Sequence, residues 1–273
     1  MQEGLCACHA AAGGGSAAWS PPDPGGGGSS PASGGPVDQS LLVKLAAASR
    51  ILAAQGVVDA FGHVSIRHPD APERFFMSRG LAPALVGAND IQEFDLDCVT
   101  CGDDTRPSFL ERFIHGEIYR ARPDVNSVVH SHSPSVIPFG LVETPMQPMF
   151  HNAAFLAAGV PVFDISDEFG ATDMLVGNGE KGKALVAALA DKPVVLMRAH
   201  GSVAVGPDLQ TAVFRAVYTE VNARIQHQAS AYGGPIAALS PQEGVLADAI
   251  NMKAGSRAWD LWMRMIDRRA GRS

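Results

Sequence analysis

Cysteine is scarce, with four in 273 residues, and so few in so long a chain do not make a disulfide scaffold. No apolar run approaches the roughly 20 residues that a spanning helix needs. Basic residues are not in excess. The formal net charge is −7, which gives no support for nucleic acid or an anionic membrane surface as a partner. The N-terminus lacks the basic stretch and apolar core of a secretory signal, so a cytoplasmic address is expected. No internal repeat is visible. What is present is 46% hydrophobic and 18% charged residues, the balance of a globular chain able to bury a sizeable core.

Residues 1–37 are dominated by Gly, Ser, Ala and Pro, with runs at Gly13–Gly15 and Gly25–Gly28. Such a segment buries too little apolar surface to offset chain entropy, and a disordered tail is expected there. Folding is expected over 38–273, beginning with a helix whose buried stripe is Leu41, Leu42, Leu45, Ile51 and Leu52. Strands are expected over 62–67, 74–78 and 90–97, then a helix from Ser108 to about Arg120 that stops ahead of Pro123. Another strand spans 125–132, followed by a helix at Ser135, a short strand over 160–165, a helix over 180–190, and strands over 194–200 and 203–206. A long helix from Leu209 to Tyr232 and one or two more over 241–268 close the chain. Strands mixed with helices around one sheet make a layered α/β domain.

The most informative stretch is Val128-Val129-His130-Ser131-His132. Two histidines two apart on a strand share one face. Glu111 and His115 are four apart in a helical pattern just upstream, and Val194–Met197 leads into His200-Gly201. Three histidines on rigid strands, with a carboxylate near, are a donor set for a divalent metal with a position left open for substrate. Gly201 is expected to let a ligand approach the backbone. Glu111, partly desolvated beside the metal, suits a proton shuttle, and His115 a structural or supporting role.

Other motifs carry less. Cys98-Val99-Thr100-Cys101 is half of a zinc or redox motif, and Cys6-Ala7-Cys8-His9 would have to supply the rest, so it reads as an ordinary loop. Gly177–Lys183 lacks the spacing and terminal Ser/Thr of a phosphate loop and reads as a turn and helix start. Trp259 and Trp262 read as packing or oligomer contacts.

Taken in order, Gly62-His63-Val64-Ser65, Glu111-Arg112-Phe113-Ile114-His115, Tyr119–Val125, His130-Ser131-His132-Ser133-Pro134 and His200-Gly201 resemble the class II aldolase/adducin family from Asp38 onward. The resemblance implies a three-layer α/β/α fold with a central, largely antiparallel sheet. It implies a tetramer with active sites near subunit interfaces, His130, His132 and His200 as metal ligands, and Glu111 as catalytic acid/base. Sugar-phosphate-cleaving members carry Gly-Asn in the first motif and serines ahead of the glutamate. Here His63 and Phe109-Leu110 stand instead, and apolar side chains give a phosphate dianion no hydrogen bonds.

Phe76–Pro83 and Glu111–Tyr119 look like the branch that decarboxylates hydroxylated aromatic or pyridine carboxylic acids. The expected function is therefore a non-oxidative decarboxylase using one Mn²⁺ or Zn²⁺ per subunit on a small carboxylate substrate. Arg79 is a candidate carboxylate clamp and Phe109 a wall for a flat ring. His63 is a candidate substrate contact, and His63 or His151 a candidate assistant in the chemistry. Burial is expected to raise the Glu111 pKa. An aldolase is the competing reading within the same chemistry, and a non-catalytic adducin-like binding protein the competing reading outside it.

Overall fold

The computed structural model describes residues 30–270. Asp38 starts the first helix by accepting a hydrogen bond from Ser40 N–H, which satisfies one of the otherwise unpaired donors of the first turn. The helices are α1 (Gln39–Ala54), α2 (Arg112–Ala121), α3 (Ile165–Phe169), α4 (Gly179–Leu189), α5 (Leu209–Ala231) and α6 (Pro241–Ala270). The strands are β1 (His63–Arg67), β2 (Arg74–Ser78), β3 (Ile91–Asp95), β4 (Ser127–Ser131), β5 (Val162–Phe163), β6 (Val194–Met197) and β7 (Gly201–Gly206). They form one sheet in the order β3-β2-β1-β4-β7-β6-β5. Every neighbouring pair is antiparallel except β5–β6.

Alternation along the strands builds the three layers. Val129 and Ala204 face α1, α5 and α6, in a core with Leu45, Ile51, Val213 and Trp262. Val128 and Val203 face α2 and α4, in a second core with Phe75, Ile114, Ile118 and Leu185. Ile114 and Ile118 lie one turn apart on α2 and are fully buried, each contributing about 1.5–3 kcal/mol of transfer free energy. This is the expected α/β/α architecture with a largely antiparallel sheet.

Three local expectations are corrected. The helix expected from Ser108 begins only at Arg112. The preceding residues are tied elsewhere: Pro107 O accepts from Gly80 N, and Ser108 Oγ donates to Gln92. Glu111 therefore occupies the N-cap position, with φ −85° and ψ 19°, and not a helix face shared with His115. His200 is not on a strand. β6 ends at Met197, and Arg198–His200 form the hairpin turn into β7, with Ala199 at φ 54°. The helix expected at Ser135 is a short 3₁₀ turn at Ile137–Gly140.

Of the tail expected over 1–37, residues 1–29 lie outside the described residues, and Cys6-Ala7-Cys8-His9 with them. Residues 30–37 contain no helix or strand. They run beside β3, where Ser33 Oγ and Gly34 N each donate to the Glu93 carboxylate at 2.6 Å.

Candidate metal centre

Register places the first two histidines. β1 pairs with β4 so that His63 lies opposite His130, and β4 pairs with β7 so that His130 lies opposite Val203. Directly opposed side chains project to the same face, here the face covered by α2. His132 is the first residue past β4, and His200 reaches in from the β6–β7 turn. Glu111, at the mouth of α2, is 6% exposed. The ligand atoms of Glu111, His130, His132 and His200 all lie within 4.8 Å of one another. The four residues brought together from separate segments are those the sequence singled out.

Hydrogen bonds decide which nitrogens face inward. His130 Nδ1 lies 3.2 Å from Ser202 O, and His200 Nδ1 lies 3.0 Å from Met174 O. A carbonyl only accepts, so both Nδ1 atoms carry the proton and both Nε2 atoms present lone pairs. Those Nε2 atoms each lie 3.4 Å from Glu111 Oε2. His132 Nε2 stands 3.2 Å from His130 Nε2 and 2.9 Å from His200 Nε2. Imidazole lone pairs converging on a carboxylate, with the outer nitrogens tied to backbone carbonyls, are the donor set a divalent cation takes. The residues fit such an ion.

The electrostatics correct one expectation. Burial alone would raise the Glu111 carboxyl, but the positive charge and Nε2–H that His130 and His200 offer when protonated outweigh it and hold the group below the usual carboxylate range. Glu111 is ionised at neutral pH and accepts from Val176 N–H at 3.0 Å through its other oxygen. Burial and the two neighbouring imidazoles lower His132 to about 4. Burial also lowers His200, but the hydrogen bond to Glu111 that its Nε2 makes when protonated outweighs it and the net shift is upward.

The remaining candidates divide. His63 packs between Phe109, at 4.7 Å between ring centroids, and His130, at 5.1 Å, both rings tilted against it. Arg79 sits one residue past β2, and the β1–β2 register continued by two residues sets it across from His63. Its Nε is paired with Asp90 Oδ1 at 2.8 Å. His151 is exposed and is not part of the four-residue cluster. Cys98 and Cys101 are buried free thiols, pushed up by burial to about 12 and about 11, hence neutral and inert. Asn178 caps α4, so the glycine-rich stretch is a turn and helix start. Trp259 and Trp262 are core residues.

Gly201 serves a different purpose from the one expected. A Cβ there would strike the Ser131 carbonyl, so glycine permits close packing of β7 on β4 at the point where His132 leaves the strand.

Sequence reasoning passed over three groups. Glu220, buried on α5, receives hydrogen bonds from Ser133 Oγ and from the N–H and Oγ of Ser135, and so pins the loop just after His132. Phe61 lies exposed at the rim, 6.2 Å from the His132 ring. Ser65 and Tyr119 sit with His115 behind His63. Their spacing was a usable signal: His63-x-Ser65 shares a strand face, and His115-x-x-x-Tyr119 shares a helix face.

Residues 43–227 match the family described as Class II Aldolase and Adducin N-terminal domain. The chain is 36% identical over 240 residues to Decarboxylase tropJ of Talaromyces stipitatus, covering 80% of this chain and 90% of that protein. It is 33% identical to 3,4-dihydroxyphthalate decarboxylase of Terrabacter sp., covering 77% of this chain and 89% of that protein. Among solved structures it is similar to an aldolase II superfamily protein from Pseudomonas syringae, with a TM-score of 0.72, 25% identity, and 86% and 94% of the two chains covered. L-fuculose 1-phosphate aldolase from Glaciozyma antarctica shares the fold, with a TM-score of 0.71 at 22% identity and 88% and 96% of the two chains covered.

Proposed function

The chain belongs to the class II aldolase and adducin family, and on that footing we propose that it is a non-oxidative decarboxylase of a hydroxylated aromatic or pyridine carboxylate. The observation that carries this reading is an apolar ring, Phe109, packed at a tilt against His63 beside the Glu111–histidine cluster. That wall suits a flat ring and offers no hydrogen bond to a phosphate. The decarboxylase names of the relatives at 36% and 33% identity support it.

His130, His132 and His200 would hold one divalent ion, Mn²⁺ or Zn²⁺, with Glu111 beside it. Such an ion, when bound, supplies Lewis acidity that stabilises oxyanion charge on the substrate.

The chain's own residues do the rest. Phe109 and the exposed Phe61 bound the ring. Arg79, with its Nε fixed by Asp90, has its terminal nitrogens to offer a second carboxylate. Glu111 enters the reaction ionised and so acts first as a base, taking the proton of the hydroxyl ortho to the leaving carboxylate. It returns that proton to the ring carbon bearing the carboxylate, giving the keto tautomer. The carbon–carbon bond then breaks, its electron pair passes into the ring, carbon dioxide leaves, and the resulting phenolate takes a proton from water. Aromaticity is restored and Glu111 ends ionised, as it began.

The test is carbon dioxide release from a panel of ortho-hydroxy aromatic and pyridine dicarboxylates by the Mn²⁺-loaded protein, with a metal-stripped control. Metal-dependent release supports the reading and identifies the ring. Aldol product from dihydroxyacetone phosphate and an aldehyde, without carbon dioxide release, would establish an aldolase instead. A purely binding, adducin-like role is disfavoured because all three histidines and Glu111 are retained. We also propose a homotetramer, checked by equilibrium sedimentation.

A further inference from the structure

Behind His63 runs a line of buried polar side chains that metal binding does not use. His63 Nδ1 lies 2.7 Å from His115 Nε2, His115 Nδ1 lies 2.6 Å from Ser65 Oγ, and Ser65 Oγ lies 2.6 Å from the Tyr119 hydroxyl. Ser65 and His115 are wholly buried, and Tyr119 nearly so. Both imidazoles are buried and none of the four groups in the line is a carboxylate, so both rings are neutral.

Three hydrogen bonds need three protons, and four neutral groups can arrange them in three ways. In the first, Tyr119 donates to Ser65, Ser65 donates to His115 Nδ1, and His115 Nε2–H donates to His63 Nδ1. His63 then carries its own proton on Nε2. In the second, every bond is reversed, His63 is protonated on Nδ1, and the sealed Tyr119 O–H needs an acceptor other than Ser65. In the third, Tyr119 and His115 Nδ1–H both donate to Ser65, His63 is again protonated on Nδ1, and the sealed Ser65 O–H needs an acceptor of its own. Among the described residues, Ser65 is the one side-chain partner of that hydroxyl, the backbone N–H of Val128 beside it can only donate, and Ser65 Oγ has no partner besides Tyr119 and His115. Arg67, whose guanidinium lies 4.7 Å from the Tyr119 ring centroid, has only donors to offer. Its nitrogens are already spent on the carbonyls of Val125, Pro72, Tyr119 and Arg122. A sealed donor without an acceptor is costly enough to favour the first direction by roughly tenfold or more.

We infer that Tyr119, Ser65 and His115 lock His63 as its Nε2–H tautomer, a fixed hydrogen-bond donor that selects substrates presenting an ionised oxygen beside Phe109. Two consequences separate His63 from the three metal ligands nearby. Its Nε2, the nitrogen on the side of the ring away from His115, carries a proton and is not a fourth imidazole ligand. It also greets a carboxylate or phenolate oxygen and rejects a donor such as an ammonium or amide N–H at the same point. Ser65, His115 and Tyr119 are positioning residues that act through His63. The tautomer lock stands on the hydrogen bonds alone, whereas the selection of an anionic oxygen rests on the decarboxylase reading.

The experiment is long-range ¹H–¹⁵N correlation spectroscopy of the Zn²⁺-loaded protein labelled with ¹⁵N-histidine, with His63 assigned by substitution. The expected spectrum shows His63 and His115 both protonated on Nε2. Ser65→Ala, which removes the donor to His115 and the acceptor of Tyr119, should give a mixture of His63 tautomers. It should lower kcat/KM by roughly tenfold, mainly through KM, with zinc content unchanged. Tyr119→Phe leaves Ser65 as donor and should keep the Nε2–H form. A wild-type His63 protonated on Nδ1 overturns the lock, as does a Ser65→Ala spectrum unchanged from wild type. If Ser65→Ala does not fold, the wild-type spectrum alone decides. A locked His63 in a protein that releases no carbon dioxide from any panel member would sink the decarboxylase reading and leave the lock standing.

Discussion

The carbonyl oxygen of Met174 accepts a hydrogen bond from His200 Nδ1 at 3.0 Å, and that contact turns the opposite nitrogen toward Glu111. Met174 holds a left-handed φ of 67° to aim that carbonyl, a conformation unbranched residues adopt only at some cost. The backbone thus fixes the orientation of a histidine that sits on a turn and not on a strand.

His132 is half-buried just past the end of β4, so replacing it should disturb ligation more than folding. His132→Ala is expected to lose bound metal and activity while the circular dichroism spectrum and urea midpoint stay near wild type. Metal content by plasma mass spectrometry decides the matter. A variant that keeps full activity would remove His132 from the site.

Glu111→Gln keeps the size of the side chain and removes its capacity to carry a proton. The variant should retain metal and lose about 10²–10⁴-fold in kcat. Unchanged turnover with metal bound would show that another group moves the proton.

Glu220 is buried on the face of the sheet away from the cluster and holds Ser133 and Ser135. Glu220→Ala should cost about 2–4 kcal/mol, because a buried acceptor is removed from several donors. Loosening the residues just after His132 should also weaken metal binding by roughly 10–100-fold. Metal titration in the presence of a competing chelator measures the second effect separately from the first.

Burial depresses His115 from 6.5 to about 3. Between those values the unfolded chain binds a proton that the native chain refuses. Stability should therefore be fully present above about pH 6.5 and fall as the pH is lowered toward 3, by at most ~1.4 kcal/mol per pH unit from this residue. His63 and His132 shift in the same direction and add to the slope. Urea midpoints from pH 7 to pH 4.5 in the presence of EDTA should be less steep for His115→Gln than for wild type. Equal slopes would contradict the assignment.

Gly201→Ala puts a methyl group against the Ser131 carbonyl, which is backbone and cannot swing aside. A loss of about 1–3 kcal/mol is expected from the overpacking, together with a lower metal affinity as β4 is pushed away at His132. Thermal unfolding with and without metal tests both parts.

The sequence by itself determined the elements that rest on local periodicity. Strand β2 appears over the expected Arg74–Ser78, and α5 ends within one residue of expectation, because alternation and the 3.6-residue stripe are written in neighbouring residues. His130, His132, His200 and Glu111 were legible as a set because these residue types stand in the order that the class II aldolase/adducin resemblance implies.

Tertiary structure alone decided the rest. Glu111 left its helix because Pro107 and Ser108 bond to residues far earlier in the chain. Its pKa fell where burial alone would raise it, since two imidazoles from other segments converge on it. The roles of Gly201, Glu220 and the His63–His115–Ser65–Tyr119 line also depend on partners 50 or more residues apart in the sequence. Hydrogen-bond direction, proton position and close backbone approach are set by what folding brings within 3 Å, and no local pattern records those distances.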